Sequence, residues 1–253
     1  MDQPQAQPAA ATGQHIPGVL DSIKRAWAAY RPLWLTYSGV AIVPLLISYV
    51  VTAFIGVSVV LGIVGATTLT LGNSNFTAGS LFIALLVIAV LGLINIIIQA
   101  WGQAALLFAT THTQGITFSG AFRGGWKMMG PVFWTSFLVG LITMAGLILF
   151  IIPGIIIGVY YSLALVVCVV EGKRGMDALR QSKAYVSGHW FEVFWRYLAL
   201  GLLMSVVNWL VTSILGRSAG SLLNFILTLI YIPLYTLFMY HLYLDLKKLK
   251  GAA

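Results

Sequence analysis

The chain has 253 residues, of which 60% are hydrophobic and only 8% charged, and its formal net charge is +8. Soluble domains carry about 25% charged residues, so this chain has too little polar surface to coat a water-soluble globule. Lipid hydrocarbon must therefore act as the solvent for much of its surface. The composition excludes an ordinary soluble domain and predicts an all-α integral membrane protein.

Hydropathy divides the chain into two tails and six apolar stretches. Residues 1–18 are rich in Gln, Pro and Ala and are predicted to be a disordered tail, which we expect to stay attached because no apolar signal region adjoins a basic N-terminus. Residues 19–246 are predicted to form one transmembrane domain, and 247–253 a basic C-terminal tail. A span needs about 20 apolar residues. The six predicted spans lie near 37–64, 80–110, 132–151, 154–170, 193–215 and 221–244.

Proline and glycine mark the expected irregularities of these spans. Pro44 lies inside the first span, where it is a candidate kink. Pro153 and Gly154, in the sequence IIPGII, are expected to close a tight helical hairpin between the third and fourth spans. The sequence GRSAG separates the fifth span from the sixth.

The cationic residues lie almost entirely on one side of the predicted membrane. Of the fourteen Lys and Arg residues, all except Arg217 fall before the first span, after the last, or in the segments that follow spans two and four, with Arg196 at the start of the fifth span. Six crossings produce this distribution and five do not. The positive-inside rule makes that side cytoplasmic and places both termini there. Eight of these cations are predicted to form a basic belt at the membrane surface: Lys24, Arg25, Arg123, Lys127, Lys173, Arg174, Arg180 and Lys183.

Three basic segments on this side resemble one another. SIKRAWAAYRPLW and AFRGGWKMMGPVF align without gaps, so that Trp27 meets Trp126 and Pro32 meets Pro131. ALRQSKAYVSGHW, which ends at Trp190, fits less well. The alternative explanation is that segments beside a membrane are basic and aromatic for general physical reasons.

Apolar residues in all three segments recur at spacings of three and four, which is typical of an amphipathic helix lying in the membrane interface. These interfacial helices are predicted near residues 19–31, 118–130 and 176–187. Because two spans follow each of them, the expected fold is a six-helix bundle of three parallel repeats, each an interfacial helix followed by a transmembrane hairpin.

The stretch from Pro153 to Trp190 resembles a known family. It carries Pro153-Gly154, then Glu171-Gly172 at the end of a span, then Ala178-Leu179 with Ser182, and finally Gly188 with Trp190. These features are similar to those of the membrane domains fused to some bacterial glycerophosphodiester phosphodiesterases, and of related six-span bacterial proteins of uncharacterised function. The resemblance implies a multi-pass protein of a prokaryotic inner membrane. It brings no catalytic residue to this chain, because no soluble phosphodiesterase domain is present.

Polar residues inside the spans have two interpretations. Asn95, Gln99 and Gln103 are spaced by four and form a stripe on the second span, while Asn208 and Asn224 lie in the fifth and sixth. The stripe either lines a pathway or headgroup site, or holds helices together through hydrogen bonds worth about 1 kcal/mol each. The second interpretation is favoured.

Titratable groups suitable for chemistry are few. Glu171, Glu192, His112 and His189 are expected near the cytoplasmic edge, and the His spacing matches no metal motif. No nucleotide-binding or hydrolase motif is present in the sequence. We therefore expect no catalytic residue, no metal and no cofactor.

The expected function is that of a non-enzymatic membrane-organising or accessory protein. Its basic belt would engage anionic lipid headgroups or a partner, either a membrane protein or a second copy of the chain, because each cation near an anionic leaflet contributes about 1 kcal/mol. Orientation of the chain in the membrane alone would also explain the charges. Nucleic acid is not expected as a partner. The alternative function is a transporter or channel for a small or lipid-like solute.

Overall fold

A computed structural model describes residues 18–71, 78–112 and 116–251, and all regular elements in these ranges are helical. Apart from Gly18, the predicted N-terminal tail lies outside the described residues, as do 252–253 of the predicted C-terminal tail. The elements are α1 (Val19–Tyr30), a 3-10 turn (Arg31–Leu33), α2 (Trp34–Leu71), α3 (Ala78–Thr111), α4 (Phe118–Leu149), α5 (Ile151–Tyr161), α6 (Ala164–Glu171), α7 (Met176–Val186) and α8 (Trp190–Gly251).

Six helical stretches of the described chain are long and apolar enough to cross a membrane, which confirms the expected multi-pass helical protein. They are Val19–Val60, Leu85–Thr111, Phe118–Leu149, Ile151–Glu171, Trp190–Gly216 and Leu223–Gly251.

The turn between the third and fourth spans does not lie where the sequence predicted it. The turn between the third and fourth spans lies at Phe150, whose backbone is extended, and Pro153 lies in the first turn of α5. The prediction of a turn at Pro153-Gly154 was therefore wrong. A helix tolerates proline in its first turn, since those backbone N–H groups have no partner within the helix. Between the fifth and sixth spans, Gly216 breaks α8 with a positive φ of 72°, as glycine permits.

The three segments expected to be interfacial helices are all helical, but only one stands apart from the span that follows it. Residues 118–130 run without interruption through Pro131 into the third span as α4. The first segment, α1, joins its span through the 3-10 turn at Arg31–Leu33. The third, α7, ends at Val186 and is separated from α8 by a turn that contains Gly188.

The buried core lies mostly at the end of the bundle that carries the basic belt, hereafter the basic end. Helices α1, α6 and α7 pack there against the last turns of α3 and α8 and the first turns of α4. Eight large side chains are completely buried in it: Tyr37, Leu163, Leu179, Leu237, Phe238, Leu242, Tyr243 and Leu246. Toward the opposite end the apolar side chains are mostly exposed, which suits contact with lipid tails.

Small residues allow the helices to approach closely in this core. A Cβ atom added at Gly125 of α4 would lie 2.5 Å from the Cα of Ala105 in α3, and one at Gly102 would lie 2.5 Å from the ring of Pro44. Lipid tails are as apolar as the helices, so association depends on such close packing and on interhelical hydrogen bonds. The three helices α2, α3 and α4 are therefore held at contact distance where α3 carries Gly102 and Ala105.

We expect Gly125→Ala to lower the free energy of unfolding by about 1–3 kcal/mol, because the new methyl group meets the backbone of Ala105 and not a side chain that can move. Gly130→Ala is the matched control on the same helix, where an added Cβ meets no atom within 4 Å. The control should be neutral or stabilising by up to about 1 kcal/mol. Unfolding in detergent measures both, and an equal effect of the two substitutions would contradict the described crossing.

Candidate functional site

Half of the basic belt has no side-chain partner among the described residues. Lys24, Arg123, Lys127 and Arg174 are exposed and make no side-chain hydrogen bond or ion pair with any described residue. Trp27 and Trp126, which adjoin them, expose 50% and 64% of their surface. Cations beside exposed tryptophan are typical of a membrane–water interface. These four cations are free to bind an external anion.

The other cations of the belt are engaged within the protein. Arg25 donates hydrogen bonds to both carboxylate oxygens of Asp245, at 3.0 and 2.6 Å, and the Asp245 side chain is only 9% exposed. This bidentate pair ties α1 to α8 and is of the strong, geometrically specific kind. Arg180 pairs with Asp177 at 3.7 Å on the surface, and Lys183 lies over the ring of Tyr160.

A carboxylate cluster at Glu171 joins α6, α7 and α8. The side chain is 13% exposed, and its Oε1 accepts hydrogen bonds from the hydroxyls of Tyr185 at 2.6 Å and Tyr243 at 2.8 Å. Lys247 and Lys173 form ion pairs with it at 3.3 and 3.7 Å. Burial and the bond to Glu171 raise the pKa of the Tyr185 hydroxyl. Three donors lie around Oε1 and Lys173 lies near Oε2, so the carboxylate forms an internal latch that joins the three helices.

Glu171 and Glu192 both lie in ion pairs at the basic end. The partners of Glu171 are Lys173 and Lys247. Glu192 forms an ion pair with Arg196 one turn along α8, at 3.6 Å. No sequence pattern pointed to the two tyrosines or Lys247, because they lie 14 or more residues from Glu171 along the chain.

The three basic segments share a pattern of burial. Two positions of the alignment are buried in every segment, and the position that carries Lys24 in the first segment is an exposed cation in all three. The buried sets are Ser22, Ala121 and Ala178, and Ala26, Gly125 and Ser182; the exposed set is Lys24, Arg123 and Arg180.

The polar stripe of the second span is bonded to the first span. Asn95 accepts a hydrogen bond from Ser48 Oγ at 3.0 Å and donates one to Thr52 Oγ1 at 3.2 Å. Gln99 donates to Ser48 Oγ at 3.2 Å. Two of the three stripe residues therefore hold helices α2 and α3 together. Ser48 and Thr52 were not anticipated, because hydroxyls inside a helix are common and usually bond to their own backbone.

The same stripe also lines two cavities. Gln99 and Gln103 face a cavity of about 260 Å³ between α2, α3, the break between α5 and α6, and α8, where Tyr231 and Tyr235 line the other wall. On the opposite side of α3, Asn95, Gln99 and Gln103 line a second cavity of about 240 Å³. The stripe thus both bonds helices and lines cavities.

A third and larger cavity, here named the span-five groove, separates the two parts of α8 on either side of Gly216. Its volume is about 630 Å³, and both Asn208 and Asn224 line it. Tyr231 lines this groove and the 260 Å³ cavity alike, so the two adjoin. All five polar residues singled out in the sequence therefore face a cavity.

The titratable groups considered for chemistry do not come together. Within the described ranges, none of Glu171, Glu192, His112 and His189 forms a hydrogen bond with another of the four. His112 bonds to Thr111 and to the backbone of Phe108. The described part of the chain contains no group of three His, Cys, Asp or Glu side chains placed to hold a metal ion.

No protein-family model, no curated protein and no solved structure matches this chain. The resemblance of residues 153–190 to the bacterial membrane-domain family therefore stays a prediction, and function has to be argued from the residues.

We expect Glu171→Gln to lower the free energy of unfolding by about 2 kcal/mol, because hydrogen bonds and ion pairs to a shielded carboxylate contribute more than those to a neutral amide. Asp177→Asn is the control, since its carboxylate is 74% exposed in a surface pair with Arg180. That substitution should change stability by less than about 0.5 kcal/mol. Thermal unfolding in detergent compares them, and an Asp177 effect as large as the Glu171 effect would refute the latch.

Proposed function

We propose that this chain is a non-enzymatic integral membrane protein that binds anionic lipid headgroups through the unpaired half of its basic belt. The observation that carries the proposal is the division among the belt cations. Arg25 and Lys173 are paired with internal carboxylates, whereas Lys24, Arg123, Lys127 and Arg174 are exposed and unpaired among the described residues. Charges needed only to orient the chain would not require this division between internal and outward-facing cations.

The proposal includes the orientation and the repeat. Both termini lie on the cytoplasmic side of a prokaryotic inner membrane, because the positive-inside rule assigns the cation-rich side to the cytoplasm. The shared burial pattern of the three basic segments supports three parallel units. In each unit the buried positions face the bundle and the matched cation, Lys24, Arg123 or Arg180, faces outward.

Passage of a lipid-like solute is the second candidate function. It is favoured by the placement of all five intramembrane amides on cavity walls, and by the way neighbouring cavities share Gln99, Gln103 and Tyr231. The hydrogen bonds of Asn95 and Gln99 to the first span also give these residues a structural role, so cavity lining is not their whole purpose.

The anionic-lipid proposal is tested by tryptophan quenching in proteoliposomes that contain brominated lipid. Brominated phosphatidylglycerol should quench more efficiently than brominated phosphatidylcholine, and the preference should weaken with rising salt. Lys127→Gln, beside the exposed Trp126, should reduce the preference by up to about fivefold, which corresponds to about 1 kcal/mol per cation.

Arg217→Gln is the control for this measurement, because it removes one charge at the opposite end of the predicted topology. Its preference for anionic lipid should equal that of the unmodified chain. Equal quenching by the two brominated lipids in the unmodified chain, or an equal loss in both variants, would refute a headgroup role of the basic belt.

A further inference from the structure

The span-five groove contains hydrogen-bonding groups that the protein itself does not satisfy. Ser205, Asn208 and Tyr231 line it, and none of their side chains has a hydrogen-bond partner among the described residues. Three other lining residues are engaged: Thr212 donates to the backbone carbonyl of Asn208 and accepts from Asn224, and Thr228 donates to the backbone carbonyl of Asn224. Polar groups left unpaired in hydrocarbon are costly, so the groove requires an occupant that brings hydrogen-bond acceptors.

The groove is open toward the bilayer. Trp209 on its rim is 66% exposed, and a Cβ atom added at Gly201 would meet no atom within 4 Å. In an apolar 18-residue segment of the fifth span, only 6% of the residues are buried inside the molecule. An occupant therefore enters from the lipid and must itself carry apolar chains, for which Met204, Val207 and Leu227 supply the matching walls.

The chemistry of the walls selects the polar part of the occupant. None of the described side chains that line the groove is charged, and the unpaired groups are the amide of Asn208 and the hydroxyls of Ser205 and Tyr231, all of which can donate hydrogen bonds. Ester carbonyls accept hydrogen bonds and carry no charge. A diacyl glycerolipid offers two such carbonyls together with two acyl chains.

The depth of the groove agrees with this occupant. Thr212 lies four residues and Asn208 eight residues before the break at Gly216, which places them about 6 and about 12 Å along the helix from that end. The fifth span, Trp190–Gly216, is longer than the hydrocarbon thickness of about 30 Å, so Thr212 lies near the level of the lipid esters and Asn208 lies about one turn deeper.

We infer that the span-five groove binds the glycerol–ester region of a membrane glycerolipid in the leaflet opposite the basic belt. Because none of the described side chains that line it is charged, the groove is expected to bind glycerolipids whatever the charge of their headgroups. Anionic selectivity belongs to the basic belt alone. The inference goes beyond the anionic-lipid proposal and names a substrate class for the second candidate function, but the binding site itself does not depend on transport.

A photocrosslinking amino acid at position 201 tests the occupancy of the groove in proteoliposomes. The open positions Gly56 and Gly140, on other spans, serve as controls because an added Cβ meets no atom within 4 Å at either. Glycerolipid adducts identified by mass spectrometry should be at least several-fold more abundant at position 201. Phosphatidylglycerol and phosphatidylcholine should form adducts in proportion to their content in the vesicle.

Two leucine substitutions distinguish specific binding of a lipid in the groove from general exposure of position 201 to lipid. Asn208→Leu removes the deep donor and should reduce the adducts to the level of the controls. Ser213→Leu makes a similar polar-to-apolar change on the same helix outside the groove and should leave them unchanged. Dimer crosslinks in place of lipid adducts, adducts no more abundant than at the control positions, or a strong preference for the anionic lipid would each overturn the inference.

Movement of a fluorescent glycerolipid between leaflets, measured with the same variants, distinguishes this site from the transport function. Adducts at position 201 together with lipid movement that Asn208→Leu abolishes support both. Adducts without lipid movement support the binding site and refute transport as the second candidate function. Absence of adducts refutes the groove, whatever the brominated-lipid preference of the basic belt.

Discussion

Helix association inside a bilayer has no hydrophobic driving force, and this constraint governs the whole architecture of the chain. The helices are held where small residues permit contact, as at Gly125 and Ala105, and where polar groups bond across helices, as between Arg25 and Asp245. Close packing and ion pairs are concentrated at the basic end. The opposite end has a contact between Gly146 and Gly154 and a hydrogen bond from Asn224 to Thr212, and it otherwise presents mostly apolar side chains to the surroundings. The molecule is thus a bundle fastened at one end and open toward lipid at the other.

The packing at the basic end explains why some cations of the belt are paired with internal carboxylates and others are not. A carboxylate shielded from water needs compensating donors, and Glu171 and Asp245 obtain them from Lys173, Lys247 and Arg25. These pairs fix the positions of α1, α7 and the end of α8, and the unpaired cations of the belt are carried on the same scaffold. At the open end the described side chains that line the groove are neutral and can donate hydrogen bonds. The two lipid-binding regions that we propose, with their different selectivities, would follow from one asymmetry in packing.

The sequence predicted the features that depend on composition along the chain and missed those that depend on contacts across it. Hydropathy predicts six spans, the charge distribution predicts the basic belt, and the spacing of apolar residues predicts the amphipathic basic segments. The structure has six apolar helices of spanning length in its described part. The turn at Phe150 was misplaced because proline is compatible both with a break and with a first helical turn. Tyr243 and Asp245 could not be assigned to Glu171 and Arg25, since the partners are 72 and 220 residues apart. The spacing of Ser205, Asn208 and Thr212 by three and four residues indicates a second polar face, on the fifth span. From the sequence we singled out the stripe on the second span and, on the fifth span, only Asn208.

Distance measurements between spin labels test the packing asymmetry most directly. In a Cys168→Ala background, labels at Ala28 and Ala184 report on α1 and α7 at the basic end, and labels at Val60 and Ile214 report on the first and fifth spans at the opposite end; all four side chains are exposed. The account predicts a narrow distance distribution for the first pair in every bilayer. For the second pair it predicts a broader distribution that shifts with bilayer thickness. Equally narrow distributions for both pairs, unchanged by bilayer thickness, would contradict a bundle fastened at one end.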